Sequence, residues 1–376
     1  MAFRAQPARG GALLAAACLL ALSLFGGRPA VPAQAAGGAW TTFMFDNARD
    51  GHSTADPAFG TVGPAWTSPG LNGQIYAEPL VYGGVVYVAT ENDQLYALNQ
   101  ANGAILKQWN LGGPAGGFRC GNINGITGTP VIDTVNRVLY AVGATNTAPT
   151  YKLFKVDLAN YSTPVQSFNA QSLTGFDPTI QGQRGALALN NGTVYVPYGG
   201  RAGDCGVYHG YVAAFDLNGN PVGAFETTPH SCAGGVWSPG GESVDGSGNV
   251  YAGSGNGPTS GLTGCSPTNV YDYQESVLKL NATAGLVANW APQNWLSLDQ
   301  GDTDIGSVTP TLLPGGLIFQ SGKTAAATCS TAARWAAGRA ATPASTSQEP
   351  ASAWEAPRST APTSTWAATA ACSRCA

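Results

Sequence analysis

Charged side chains are scarce in this 376-residue chain, in which Asp, Glu, Lys and Arg together make up only 10% of the residues. The formal net charge is −4 at pH 7, and the basic residues form no cluster. Because affinity for phosphates depends mainly on grouped Lys and Arg, this composition excludes an electrostatic nucleic-acid binder. The scarcity of charge also argues against amphipathic helices, which need a polar face.

Several catalytic motifs are also missing. The sequence has no Gly-x-Ser-x-Gly elbow, no His-Glu-x-x-His helix and no phosphate-binding loop. It has three histidines, His52, His209 and His230, and no two cysteines are adjacent. These absences leave hydrolase and nucleotide-binding functions without support, and we assign no catalytic and no metal-ligating residue.

Turn formers and aromatic residues are abundant: the chain has 51 Gly, 25 Pro, 14 Tyr and 9 Trp. This composition is typical of short strands joined by tight turns and predicts an all-β fold.

The N-terminus has the order of a Sec signal peptide. Arg4 and Arg9 precede an apolar run from Ala12 to Phe25, and small residues follow up to Ala36. The run is too short for a transmembrane span. We therefore predict a signal peptide over residues 1–36 and a secreted or periplasmic protein. A lipid anchor at Cys18, which lies inside the apolar run, is the alternative.

Four cysteines lie in the body of the chain: Cys120, Cys205, Cys232 and Cys265. In an oxidising compartment they allow two disulfides, and three pairings remain open. A zinc site is the alternative, although no two of the four have C-x2-C spacing.

A strand motif recurs along the chain. It occurs around Glu78–Thr90, Gly128–Val142, Ala186–Val196 and Ser243–Ala252, and a fifth copy begins at Thr309. The equivalent tyrosines are Tyr87, Tyr140, Tyr195 and Tyr251, spaced by 53, 55 and 56 residues. Each copy is a set of apolar strands joined at Gly-Gly, Asn-Gly or Asp-Gly turns. Four short strands per repeat predict the blades of a β-propeller, with the tyrosines packed between blades. An array of β-sandwiches is the structural alternative.

The copies resemble the pyrroloquinoline-quinone-type (PQQ-like) repeat propellers of the quinoprotein-dehydrogenase-like superfamily. The resemblance covers about residues 40 to 323 and is carried by several segments together: Trp40–Gly51, Tyr76–Leu80, Gly125–Asp133, Tyr208–Val212, Asp304–Gly306 and Gly322–Lys323. It implies a propeller of seven or eight four-stranded blades, incomplete in this chain. We therefore place the propeller at residues 37–323.

The composition changes abruptly at Thr324. The last 53 residues contain 19 Ala, one Gly and no Val, Ile, Leu, Phe, Tyr, Asn, Asp or Lys. Residues 324–376 are either a disordered low-complexity tail or, in the interpretation we prefer, the product of a frameshift. A reading frame shifted by one base from Lys323 permits Asp-Gly-Gly-Gly-Tyr-Leu-Leu-Asp, which suits the repeat.

The resemblance implies one activity, that of a dehydrogenase using PQQ and calcium, with an Asp as base. This chain lacks the adjacent cysteine pair that covers the quinone in many such enzymes. We therefore favour a non-catalytic binding or scaffold propeller, with an unidentified protein or glycan partner, and we expect a monomer. One polar loop, with Asp204 and His209, remains a candidate site. The Asp245–Asn249 segment is interpreted as a hairpin turn in preference to a calcium loop.

Overall fold

A computed structural model describes residues 39–53, 63–121, 124–146, 148–202, 204–258, 264–267, 269–324, 327–331 and 336–337. The predicted signal peptide and most of the predicted tail lie outside these residues. Gly37–Ala376 forms one compact unit. Within the described ranges, no helix has the length and apolar character that a membrane span requires.

Antiparallel strands form five sheets, which we call blades 1 to 5. Blade 1 contains β1 (Leu80–Tyr82), β2 (Val85–Ala89), β3 (Gln94–Asn99) and β4 (Ile105–Asn110). Blade 2 contains β5 (Val131–Asp133), β6 (Val138–Thr145), β7 (Thr150–Asp157) and β8 (Gln166–Asn169). Blade 3 contains β9 (Gln181–Gly182), β10 (Ala188–Asn190), β11 (Thr193–Gly200), β12 (Tyr211–Asp216) and β13 (Pro221–Glu226).

Blade 4 contains β14 (Ser243–Val244), β15 (Val250–Gly253), β16 (Val277–Leu280) and β17 (Leu286–Trp290). Blade 5 contains β18 (Thr311–Leu313), β19 (Leu317–Ser321) and β20 (Ala327–Thr331), and β21 (Ala336–Ala337) pairs with β17 of blade 4. One short helix, α1 (Trp295–Gln300), precedes 3-10 turns at Ile305–Ser307 and Pro314–Gly316. The predicted all-β propeller architecture is confirmed.

The four repeat tyrosines have equivalent places in the fold. With β10 counted as the first strand of blade 3, each of them lies in the second strand of its blade. They are Tyr87, Tyr140, Tyr195 and Tyr251, and each is at most 3% exposed. Three hydroxyls reach the next blade: Tyr87 Oη is 2.9 Å from Tyr161 Oη, and those of Tyr140 and Tyr195 donate to the carbonyls of Leu217 and Ala282. The tyrosines therefore join neighbouring blades, as predicted.

Separate apolar clusters fill the spaces between consecutive blades. The cluster between blades 2 and 3 is rich in aromatic rings that meet edge to face. Tyr151, Tyr198 and Phe176 have ring centroids 5.0 to 5.9 Å apart. This is the arrangement in which aromatic quadrupoles attract one another. Side-chain packing between sheets thus forms the core.

The two ends of the blades differ in the connections that they carry. At one end the strands are joined by short turns, such as Gly83-Gly84 and Asn191-Gly192, whose positive φ angles favour glycine and asparagine. At the other end lie the long segments, including residues 111–130, 201–210, 227–242, 254–276 and 291–310. We call this end the long-loop face. Functional residues in such folds are usually carried by long loops on a rigid scaffold.

Residues 40–49, which we call the N-terminal strap, cross the first strands of all five blades. Trp40 pairs with Val81, and Thr41 accepts a bond from the Ile132 amide. The remaining contacts are made with Leu187, Leu189, Val244 and Leu312. Because nine successive residues, from Trp40 to Ala48, reach five blades, the strap must lie where the first strands converge, at the axis of the repeat.

Two strands lie inside the segment that we assign to the tail. β20 pairs with β19 from Leu317↔Thr331 to Ser321↔Ala327, and β21 pairs with β17. The chain after Lys323 therefore continues blade 5 for at least one strand. The domain boundary at residue 323 and the frameshift stay predictions.

Candidate functional site

Trp237 lies at the centre of the long-loop face, in the connection between blades 3 and 4. Its side chain packs on glycines of both blades: a Cβ added at Gly199 would lie 3.2 Å from the Trp237 Cβ, and one added at Gly255 would lie 2.7 Å from Nε1. Any larger residue at these two positions would displace the ring. Glycine at positions 199 and 255 therefore leaves the space that the partly exposed Trp237 indole occupies.

Two cations lie close to the Trp237 ring. The guanidinium carbon of Arg184, from blade 3, is 5.8 Å from the ring centroid, and Lys323 Nζ, which follows β19 of blade 5, is 5.6 Å from it. Both distances lie within the range in which a cation is attracted by the face of an indole. Residues far apart in sequence therefore converge on one aromatic plane.

Lys323 is held by two carboxylates. Its Nζ is 2.7 Å from Asp302 Oδ1 and 3.3 Å from Asp304 Oδ2. Partial burial opposes the charged form, but the bond with Asp302 and the charge of Asp304 raise the pKa of Lys323. Lys323 is therefore a permanent cation whose charge is already balanced.

Two further carboxyl groups, those of Glu275 and Asp299, are buried beside this ion pair, and Asp304 itself is buried as well. Asp304 is 1% exposed and Glu275 is fully buried, and one oxygen of each lacks a hydrogen-bond partner in the described residues. Burial raises the pKa of Glu275 to about 9, that of Asp299 to about 6 and that of Asp304 above its usual value. Glu275 Oε2 accepts a 2.9 Å bond from the Ile305 amide, and Asp299 accepts one from the Gly257 amide. At neutral pH Glu275 is protonated and adds little negative charge to the site.

Asp204 and His209, the two residues predicted to form a loop site, both belong to the long-loop face. The Asp204 carboxylate interacts with the Tyr208 hydroxyl and with the charge of Lys323, while burial raises its pKa. His209 Nδ1 is 3.2 Å from the Thr228 carbonyl and 3.4 Å from Glu226 Oε1. These contacts place Asp204 near the Trp237 site and connect His209 to blade 3. A ligand-binding role for the two residues stays a prediction.

Both disulfides join loops of the long-loop face. Cys120 pairs with Cys205, and Cys232 pairs with Cys265, with Cα–Cα distances of 5.7 and 6.4 Å. The structure thus selects one of the three pairings that the sequence left open. Cys205, Cys232 and Cys265 pack together with Tyr208 and Ile180. The disulfides fix loops that would otherwise have few apolar contacts of their own.

The Asp245 loop is a hairpin turn, as interpreted from the sequence. Asp245 Oδ1 accepts bonds of 2.9 Å from the Ser247 and Asn249 amides, and Oδ2 accepts from the Asn249 side chain and the Tyr251 hydroxyl. With its oxygens used inside the turn, the carboxylate closes the hairpin.

The available donor groups determine whether the site can hold a metal ion. Within the parts of the chain that the structure describes, no three His, Cys, Asp or Glu side chains lie close enough to hold a metal ion. Asp304 Oδ2 is engaged by Lys323. The described residues therefore do not fit a calcium ion, which requires six to eight oxygen ligands.

Sequence reasoning missed the Trp237 site. It used Asp304–Gly306 and Gly322–Lys323 only as pieces of the repeat and did not single out Arg184 or Trp237. The sequence feature that could have located this site is the length of the connections at one end of the blades, because functional residues are usually carried by long loops.

Comparison with known proteins supports the fold. Residues 64–195 match the protein family described as outer membrane protein assembly factor BamB. None of the curated proteins matches the chain.

Several solved structures share the fold of this chain at low sequence identity. A quinohemoprotein alcohol dehydrogenase from Pseudomonas putida HK5 is 16% identical, with a TM-score of 0.54 over 76% of this chain and 45% of that one. The quinohemoprotein alcohol dehydrogenase of Comamonas testosteroni is 16% identical, with a TM-score of 0.51 over 76% and 46%. A europium-containing methanol dehydrogenase is 15% identical, with a TM-score of 0.51 over 76% and 55%. The chain thus spans about half the length of these structures, and at this identity the likeness shows the fold alone.

Proposed function

Because the chain carries PQQ-like repeats and has the fold of the quinoprotein-dehydrogenase-like superfamily, we propose that it is a non-catalytic binding propeller. Its ligand is a small ring-bearing molecule that stacks on Trp237 at the centre of the long-loop face. The observation that carries this proposal is the partly exposed indole of Trp237, with the cations of Arg184 and Lys323 close to its ring. An aromatic plane with a few fixed polar groups is the usual composition of a small-molecule site.

The two disulfides indicate the compartment in which the protein folds. Two disulfides in the described residues indicate an oxidising, extracytoplasmic environment. We further propose that residues 1–36 are a cleaved signal peptide that delivers the protein there. Intact-mass measurement of the exported protein tests this, and a mass that still includes residues 1–36 would contradict it.

The binding proposal is tested with a Trp237→Ala variant. We expect this variant to lose at least about 1 kcal/mol of affinity for a stacked ring, measured by ligand-detected NMR against PQQ and a set of oligosaccharides. Trp66→Ala is the matched control, because Trp66 packs on the Gln100–Gly103 turn at the opposite end of blade 1. Equal binding by both variants would contradict a site at Trp237.

A quinone-dependent oxidoreductase is the second candidate, and one observation favours it. Trp237 provides a flat platform, and Lys323 and Asp304 supply a cation and a buried carboxyl beside it. A bound quinone would supply two-electron redox chemistry, while this chain's Trp237 and Lys323 would hold its ring and Asp304 would hold a proton. The described donor set does not, however, fit the calcium ion that such a group implies. Fold alone does not carry the activity.

Titration of the purified chain with PQQ, with and without calcium, tests this second candidate. A stoichiometric, calcium-dependent change in quinone absorbance that Trp237→Ala abolishes would establish the quinone site and displace the non-catalytic proposal. The absence of such a change would leave the binding propeller as the better account.

A further inference from the structure

Strand register places Tyr76 and Arg184 at equivalent positions of two blades. Leu80 of β1 pairs with Tyr87, and Ala188 of β10 pairs with Tyr195, so Leu80 and Ala188 correspond. Tyr76 and Arg184 each lie four residues before that position. Because blades repeat around the axis, Tyr76 stands in blade 1 where Arg184 stands in blade 3. Arg184 lies beside Trp237, so Tyr76 borders the same central region of the long-loop face.

Tyr76 is unusual among the tyrosines of this protein. It is 63% exposed, whereas the tyrosines of the repeat are buried. A groove of about 670 Å³ begins next to it, lined by Gly73, Gln74, Ile75, Glu91, Asn92 and Pro114. Flat amide and carboxylate groups beside an exposed aromatic ring suit the hydroxyl-rich edges and apolar faces of sugar rings.

The charges of this face determine what else the ligand carries. Ion pairs balance two of its cations: Lys323 pairs with Asp302, and Arg119 pairs with Asp177. Arg184 is exposed and has no ion pair within the described residues. One cation with no counter-charge beside an aromatic plane favours a single carboxylate on the ligand. A chain of many acidic groups is disfavoured, because Glu91 and Asp302 lie along the same face.

We propose that the long-loop face binds an oligosaccharide with one uronic acid unit, whose carboxylate pairs with Arg184 beside Trp237 and whose neighbouring sugars lie along Tyr76 and the groove. This inference rests on the proposed binding function and names the ligand class of that same site. Arg184 determines the preference for acid, and Tyr76 supports the adjacent ring whether or not it is charged.

Calorimetric titration of the full chain tests the proposal with two probes: xylotriose carrying one glucuronic acid, and unsubstituted xylotriose. We expect the acidic probe to bind about tenfold or more tightly than the neutral one. Arg184→Gln is expected to make the two affinities equal, and Arg184→Lys to restore part of the difference. Arg137→Gln, which removes an exposed arginine from a short turn at the opposite end, is the matched control and should bind as the parent does.

Tyr76 is tested with the same probes. Tyr76→Ala should weaken both sugars by a similar factor, while Tyr76→Phe should retain binding because the ring face is kept. Equal affinity of the parent chain for both probes, or an acid preference that survives Arg184→Gln, would overturn the inference.

Failure of this inference can be told apart from failure of the proposed function. If neither sugar binds but PQQ binds in a manner that Trp237→Ala abolishes, the ring site stands and the uronic acid assignment is wrong. If no probe binds in a Trp237-dependent manner, both are wrong.

Discussion

Asp93, the last residue of the turn between β2 and β3, is fully buried against blade 2. Neither of its carboxylate oxygens has a hydrogen-bond partner in the described residues. The carboxylate reaches Gly125 and Gly143, where any Cβ would collide with Oδ1. Desolvation raises the pKa of Asp93 from 3.8 to about 8. The group is therefore protonated in the folded protein at neutral pH and ionised in the unfolded chain.

The raised pKa gives a prediction on stability. The folded state keeps a proton that the unfolded state has released, so Asp93 makes the free energy of unfolding fall as the pH rises from about 4 to about 8, by up to about 1.4 kcal/mol per pH unit. We expect Asp93→Asn to remove this contribution. Urea unfolding of both proteins at pH 5 and pH 8 checks it, and the prediction fails if the two lose the same amount of stability between those values.

At the scale of the strand, one register position is occupied by Asp or Asn in blades 1, 2 and 3. Asn99, Asp157 and Asp216 each pair with the first residue of the second strand. The side-chain Oδ1 of each residue accepts a hydrogen bond of 2.7 to 2.8 Å from the backbone amide two residues further on. This bond closes the turn into the fourth strand. In blade 5 the corresponding residue is Thr331, which pairs with Leu317. Blade 5 therefore departs from the rule at the point where the composition changes.

This departure supports the proposed frameshift. The shifted frame permits Tyr-Leu-Leu-Asp over residues 328–331, which places an Asp at the register position where blades 1, 2 and 3 have Asp or Asn. We expect the gene, sequenced again across codons 315 to 376, to show one base gained or lost near codon 323. A confirmed original frame would contradict this and leave residues 324–376 as a true tail.

The strands were predictable from sequence, and the site was not. Alternation of apolar residues and Gly-containing turns is local, so Tyr87, Tyr140, Tyr195 and Tyr251 could be aligned without a structure. Trp237, Arg184 and Lys323 come from three separate parts of the chain whose sequences share no period, and only the packing of blades 3, 4 and 5 against one another brings them together. The disulfide pairing was beyond prediction for the same reason, since it depends on which loops of different blades meet.

At the scale of the whole molecule, the N-terminal strap connects the blades through one buried side chain. Arg49 is 1% exposed and donates to the carbonyls of Leu187, Glu242 and Phe43 and to the Thr42 hydroxyl. Burial lowers its pKa to about 10, so it stays charged at neutral pH. Its bonds span the strap and blades 3 and 4, and its loss would leave several buried carbonyls without their donor.

We predict that Arg49→Ala loosens the strap at several blades together. The free energy of unfolding should fall by about 3–5 kcal/mol, as expected when a buried charge is removed from its partners. Hydrogen exchange should become faster at the amides of Ile132, Val244 and Leu312, which donate to the strap carbonyls. Arg137→Ala at an exposed turn is the control. Faster exchange confined to one blade would contradict the role assigned to the strap.

The position of the strap in the chain also affects the order in which contacts form during folding. Its residues are the first of the described chain to be synthesised, but Ala48 meets its partner Leu312 only after about 260 further residues have been made. Contacts of such separation are slow to form, because a long loop must close first. The blades can acquire their strands one after another, but the axis is completed only when the fifth has arrived. In a chain halted before residue 312, Ala48 would therefore lack its partner in blade 5.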